Sequence, residues 1–260
     1  MKLDMSGRNA LITGGSLGIG RAIATGFVGC GANVAIVARR REILQEAIEE
    51  ISKAGSSKVV AIQADVATAE GCKAAYETAV AELRQIDVLV NNAGSSKRGA
   101  FETLTDEIWQ SDLDLKLFGA IRLARQVLHG MRDRRWGRII NVLNTGAKAP
   151  PPTGAPTAVS RAAGLALTKV LAGEGAPHNV LVNAVLVGRI ESNQWVERHA
   201  NEHKDRSLAE FYAEMGANIP MGRVGTAKEF ANMVCFLASD AGSYVTGTAI
   251  NVDGGMCPIV

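Results

Sequence analysis

Arg8-Asn9-Ala10-Leu11-Ile12-Thr13-Gly14-Gly15-Ser16-Leu17-Gly18-Ile19-Gly20-Arg21-Ala22-Ile23-Ala24 decides how the rest of this chain is read. Its first residues form a short apolar strand. The segment from Thr13 to Gly20 is a glycine turn, and Arg21–Ala24 opens a helix. Glycines let backbone approach a ligand closely, and the free N–H groups and dipole of a helix start favour negative charge. The stretch therefore suits a phosphate diester. A tight strand–helix turn without a ligand fits the same spacing, so the context must discriminate.

Working outward, short β-branched runs alternate with longer amphipathic stretches. The predicted strands are 9–13, 33–38, 58–63, 88–91, 138–143, 179–186 and 249–252. The helical stretches include 42–53, 70–84, 115–132, 157–173 and 227–238. Near-continuous apolar strands are covered on both faces, and strict alternation implies an α/β fold with a Rossmann-like, doubly wound parallel sheet of about seven strands. Ligands of such sheets bind beyond the C-terminal strand ends, where the strand order reverses. Residues 189–219 break the rhythm: no strand pattern, but Trp195, His199, His203, Phe211 and Tyr212. They form either a helical lid over a substrate or a helical pair packed on the body.

The composition narrows the function. Apolar content of 47% fits a large globular core, and no linker or repeat divides residues 1–260 into more than one domain. A net charge of +2 gives no case for nucleic acid. Cys30, Cys72, Cys235 and Cys257 have neither disulfide-framework nor metal spacing and read as idle thiols of a reducing compartment. No stretch approaches the ~20 apolar residues of a membrane helix, and no signal peptide is evident. The expectation is a soluble cytoplasmic protein without a metal.

The motif order resembles the short-chain dehydrogenase/reductase family over nearly the whole chain, most of all its bacterial 3-oxoacyl-acyl-carrier-protein reductases. Thr13–Gly20 resembles that family's cofactor loop, Asp65-Val66 its adenine-edge pair, and Asn91-Asn92-Ala93-Gly94 its central motif. Gly222-Arg223-Val224-Gly225, Phe236–Asp240 and Val252-Asp253-Gly254-Gly255 match its C-terminal signatures. The resemblance implies a dinucleotide held by Gly14, Ser16, Leu17, Gly18, Ile19, Gly20, Asp65, Val66, Asn92, Ala93, Gly94, Arg161, Gly188 and Ile190. It also implies a small-molecule substrate and a homodimer or homotetramer packed through 115–132 and 157–173. NAD-using members place an acid at the end of the second strand; here Ala38 is followed by Arg39-Arg40-Arg41. Arginine suits a 2′-phosphate, which favours NADP over NAD with Arg39 as the main contact. A solvated helix start would explain the same arginines. Leu17 stands where NADP-using relatives often carry a basic residue.

The family's Asn-Ser-Tyr-Lys chemistry does not carry over. The strand 138–143 puts the Ser position at Asn144; thirteen residues on lies Thr157, and four more lead to Arg161. Trp109 fixes the Asn position seven residues later, at Lys116, and the proline of the family's Pro-Gly pair is replaced in Val187-Gly188. Threonine is a poor proton source, and arginine stays protonated. Asn144 and Arg161 can still polarise a carbonyl. Lys116, if buried near Arg161, would titrate closer to neutrality and could protonate an alkoxide through Thr157 or a water. Otherwise Lys116 is a surface lysine. Lys148, His199 and His203 are further candidates for the acid. Two functions follow: an NADP-dependent oxidoreductase with an altered proton relay, or a reductase-like protein that binds NADP or a ligand without turnover.

Overall fold

The computed structural model describes residues 3–260. Seven strands form one all-parallel sheet: β1 Asn9–Thr13, β2 Asn33–Ala38, β3 Val59–Gln63, β4 Val88–Asn91, β5 Gly137–Asn144, β6 Val180–Val187 and β7 Ala249–Val252. Their order is β3-β2-β1-β4-β5-β6-β7, so the order reverses at β1, with Leu11 paired to Ala35 on one side and to Leu89 on the other. The doubly wound reading is correct. β3 starts one residue later than expected, at Val59, because the Lys58 N–H donates to the Asn33 side chain (2.9 Å) and not to the ladder.

Each face of the sheet is covered. Ile12, Val34, Ile36 and Val90 pack under α1 Gly18–Gly29, α2 Arg41–Ser52 and α9 Ala227–Ala238, where Phe27, Leu44 and Phe230 are buried. Leu11, Ala35, Leu89 and Ile139 pack under α3 Ala69–Leu83 and α5 Gly119–Asp133, where Ala75, Leu123 and Val127 are buried. Alternate residues of each strand thus supply opposite cores.

Two regions depart from the sequence reading. The helix expected over 115–132 starts earlier: α4 Asp106–Leu113 runs through a π turn, Asp114–Phe118, into α5. Residues 189–219 form α7 Asn193–Glu202 and α8 Leu208–Gly216, which follow α6 Thr157–Gly175 and β6. Phe211, Met215, Ile219 and Val224 make a small core there with Trp195 and Tyr212. His199 and His203 stack on Phe211 at ring distances of 5.6 and 4.9 Å, and His199 Nε2 contacts Arg206 O at 2.8 Å. Both histidines are engaged in this cluster.

Burial raises Cys72 to about 11 and Cys235 to about 12, so these thiols are inert. Among the described residues no cluster could hold a metal ion, and no helix is long and apolar enough to cross a membrane.

Candidate active site

The glycine loop is locked from behind by the turn after β4. Asn92 Nδ2 donates to Thr13 O (2.9 Å) and Gly14 O (3.1 Å), while the Asn92 and Ala93 N–H groups both donate to Thr13 Oγ1 at 3.0 Å. Asn92 and Ala93 therefore hold the loop's shape. Gly14 has φ +65°, and a Cβ there would stand 3.0 Å from Ala93 Cα. At Gly20 a Cβ would stand 2.1 Å from Gly14 O, so α1 can start this close to the loop only with glycine. Leu17 is the N-cap of α1 and offers no side-chain acceptor, leaving the first N–H groups to a ligand. Ser16 is buried, whereas Leu17, Gly18 and Ile19 are half-buried.

The other sequence-predicted cofactor residues surround this loop. Arg39, Arg40 and Arg41 are exposed at the end of β2, and among the described residues none has an acidic partner. Asp65 Oδ1 accepts from the Ala67 N–H at 3.0 Å, fixing the turn that carries Val66. Gly188 lies against Asp253, where a Cβ would be 2.4 Å from Asp253 Cβ. The Ile190 side chain is buried in the core. Hydrogen bonds from Glu191 N to Gly225 O and from Gly225 N to Arg189 O straddle Ile190 and leave its own N–H free of that pairing. This cradle fits a dinucleotide: close backbone, an uncapped helix start and unpaired cations lie on one edge.

Three of the four substituted positions, Lys116, Thr157 and Arg161, meet beside it. Lys116 sits in the π turn with its side chain fully buried, which excludes the surface-lysine reading. Its amine donates to Asp112 Oδ1 and, at 2.7 Å, to Thr157 Oγ1. Ser160 Oγ donates to Asp112 Oδ2 at 2.6 Å. The Thr157 hydroxyl also accepts from Lys97 N–H (3.1 Å) and donates to Lys97 O (2.7 Å). A hydroxyl has one proton and two lone pairs, so Thr157 is fully used. It ties the turn after β4 to α6. Arg161 donates to Val142 O at 2.8 Å, and its other terminal nitrogen lies against Gly94, where a Cβ would come within 2.4 Å. A side chain at Gly94 would push the guanidinium aside. Asn144, at the end of β5, has a buried oxygen with no partner among the described residues. Lys148 Nζ donates to Ala249 O at 2.8 Å, so it is drawn away from this group. None of the three tyrosines takes part: Tyr76 lies on α3, Tyr212 in the α8 cluster, and Tyr244 is fully exposed.

Burial, and then the Arg161 charge, push Lys116 down to about 8, while Asp112 pulls it up. Arg161 is pushed down to about 10 by burial, opposed by Asp112. The Lys116 shift has a measurable consequence for stability. Between about pH 8 and the ordinary lysine value near ~10.4, the unfolded chain binds more protons than the native one. The penalty of the buried charge is complete below pH 8 and is relieved as the pH rises. The native protein is expected to gain stability relative to Lys116→Met across that window. Denaturant titrations at stepped pH check this; parallel curves would contradict it.

Asp112, Ser160 and Lys97 are the members of the site that sequence reading missed. The available signal was helical spacing: Asp112 lies four residues before Lys116, and Ser160 three after Thr157.

Comparison with known proteins agrees with this architecture. The sequence family described as enoyl-(acyl carrier protein) reductase matches residues 14–257. The 3-oxoacyl-(acyl-carrier-protein) reductase of Aquifex aeolicus (strain VF5) is 33% identical over 256 residues, 98% of this chain and 100% of that protein. The L-sorbose reductase of Gluconobacter frateurii, solved with NADPH and L-sorbose, is similar with a TM-score of 0.94 and 34% identity over 100% of both chains. A short-chain oxidoreductase of Pseudomonas aeruginosa PAO1, solved without ligand and described as containing an atypical catalytic center, has a TM-score of 0.92 and 35% identity, covering 99% of this chain and 100% of that one. The glycine loop, its Asn92 clamp, the reversal of strand order at β1 and the match along nearly the whole sequence place the chain in the short-chain dehydrogenase/reductase family, near its 3-oxoacyl-acyl-carrier-protein reductases.

Proposed function

We propose that this protein is an NADP-dependent oxidoreductase that interconverts a carbonyl and an alcohol, with Lys116 as the proton donor in place of the family's tyrosine. The observation that carries this reading is the buried Lys116 amine, bonded to Asp112 and Thr157 and held near pH 8 beside Arg161. A general acid works best when it titrates near the operating pH, which neither threonine nor arginine does. When bound, NADPH supplies the hydride. The Arg161 guanidinium, and the Asn144 amide through its Nδ2, polarise the carbonyl oxygen. As the alkoxide forms, the Thr157 hydroxyl turns from Lys97 O and gives it a proton, and Lys116 Nζ replaces that proton through the 2.7 Å bond. The sorbose and 3-oxoacyl relatives support a ketone or a 3-oxoacyl thioester as substrate class. The α7–α8 segment serves as the lid: Gln194 Nε2 reaches Gly94 O at 3.3 Å, and Ser192 lies beside Gly18. Val159 and Val170, both exposed on α6, suit contact with a second copy.

A panel of ketones and 3-oxoacyl thioesters with NADPH tests the activity. Oxidation of NADPH above the protein-free rate is expected; none across the panel would leave the binding-protein reading, which the saturated Thr157 hydroxyl favours. Arg39 tests the cofactor. Its guanidinium is free to take a phosphate, an interaction of about 1.5–3 kcal/mol, or about 10–100-fold in affinity. Arg39→Asp is expected to lower the preference for NADPH over NADH by at least that factor in competition binding. An unchanged ratio would move the phosphate contact to another residue.

A further inference from the structure

Two cations are enclosed at this site, and one carboxylate lies between them. Lys116 is paired with Asp112 one turn before it, and the charges of Arg161 on α6 and of Lys97 on the segment after β4 act on the Lys116 amine. Thr13, Asn91 and Ala93 of the sheet edge and Leu123 of α5 line the cavity behind it and carry no charge. Without a carboxylate, burial and two neighbouring positive charges would all favour the neutral amine. Asp112 is itself buried and fixed at both oxygens: Oδ1 takes the Lys116 amine, and Oδ2 accepts from Ser160 Oγ at 2.6 Å. Ser160 stands on α6 one turn beyond Thr157, so the carboxylate bridges α4 to the helix that carries Thr157 and Arg161.

We propose that Asp112 is a positioning residue of the relay: its charge keeps Lys116 protonated at neutral pH and holds the amine against Thr157. Removing that charge turns Lys116 from a proton donor into a proton acceptor. The inference rests on the reading of Lys116 as the proton source. It adds that the direction of catalysis favoured at a given pH is set by a carboxylate that touches neither substrate nor cofactor. Reduction of a carbonyl needs the donor protonated and fades at alkaline pH. Oxidation of the alcohol needs it neutral and rises there.

The test measures pH profiles of acetoacetyl-coenzyme A reduction with NADPH for the native enzyme, Asp112→Asn and Lys116→Met. An opposite charge at contact moves an ionisation by about one to three pH units. The alkaline limb of reduction, near pH 8 in the native enzyme, is therefore expected to move toward acid by about that amount in Asp112→Asn. A residue that only braces the fold would lower stability and leave the limb in place. The second readout is a thermal-stability cycle with the Asp112→Asn, Lys116→Met double variant. Asp112→Asn alone makes the buried Lys116 amine give up its proton or stand unpaired, either of which costs stability, so it should lower Tm more in the native background than in Lys116→Met. Should Asp112→Asn fail to fold, recovery of folding in the double variant supports the proposal, and equal failure of both overturns it. An unmoved limb in Asp112→Asn, with the limb lost in Lys116→Met, overturns the role of Asp112 alone. Absence of turnover, or a Lys116→Met enzyme that keeps rate and limb, overturns the relay itself.

Discussion

Lys116→Met is expected to lower kcat for NADPH-dependent carbonyl reduction by about 10²–10⁴-fold, the usual contribution of a positioned acid. Methionine matches the lysine stem in length but brings no donor. Thr157 then keeps its two bonds to Lys97 and a long one to Asp112 Oδ1, with no donor behind it to restore a transferred proton. NADPH affinity should stay close to native, because the glycine loop is held by Asn92 and Thr13 and makes no bond to Lys116. The diagnostic result is therefore a fall in kcat with an unchanged dissociation constant for NADPH. A loss below tenfold would mean that the proton reaches the alkoxide by another route, with Arg161 and Asn144 giving electrostatic assistance alone. Stability should fall as well, since Asp112 is left buried with only Ser160 and Thr157 near it.

The second large effect belongs to the opposite half of the site. Gly20→Ala places a methyl group 2.1 Å from Gly14 O and 2.5 Å from Asn92 Nδ2. Neither neighbour can yield: the first is backbone, and the second is tied to Thr13 O. The helix start must move away from the loop it serves. Overpacking of this kind costs about 1–3 kcal/mol or more, and the loss falls on the geometry that receives the pyrophosphate. NADPH binding should weaken by about 100-fold or more, together with a lower Tm. Gly173→Ala is the control. A Cβ there has nothing within 4 Å, and α6 should gain about 0.5–1 kcal/mol from the better helix former. Calorimetric titration with NADPH and thermal melts on both variants separate the two expectations; equal behaviour would contradict the account of the loop.

The scaffold was written plainly in the sequence because β1, β2, β4 and β5 are buried on both faces and therefore read as continuous apolar runs. Glycines at 14, 18 and 20 added the site's position, through close approaches at 14 and 20 and a positive φ at 14 and 18. The four substituted positions could also be found by counting from Trp109 and from the β5 run. Their meaning could not. Whether Lys116 is a surface lysine or a buried amine depends on where α4 and α6 cross, and helical periodicity over 115–132 carries no record of that crossing. Asp112 lies among the polar residues Asp106, Glu107, Gln110 and Ser111; only packing against α6 separates it from them. Likewise His199 and His203 have chemistry suited to a proton donor, but Phe211 claims both.

The π turn at Asp114–Phe118 settles a conflict of angles between two helices that share one axis. An α-helix advances 100° per residue, and a wider turn resets that phase. C-terminal to it, Leu123, Val127 and Met131 keep their stripe on the sheet; N-terminal to it, Asp112 points at α6 instead of following that stripe. A buried carboxylate and a buried apolar seam can then occupy consecutive stretches of one rod without either being rotated into the other's partner. The local unwinding acts as a coupling between two gears set at different angles, and it lets an ionised pair be built into a helix whose later turns carry one face into the hydrophobic interior.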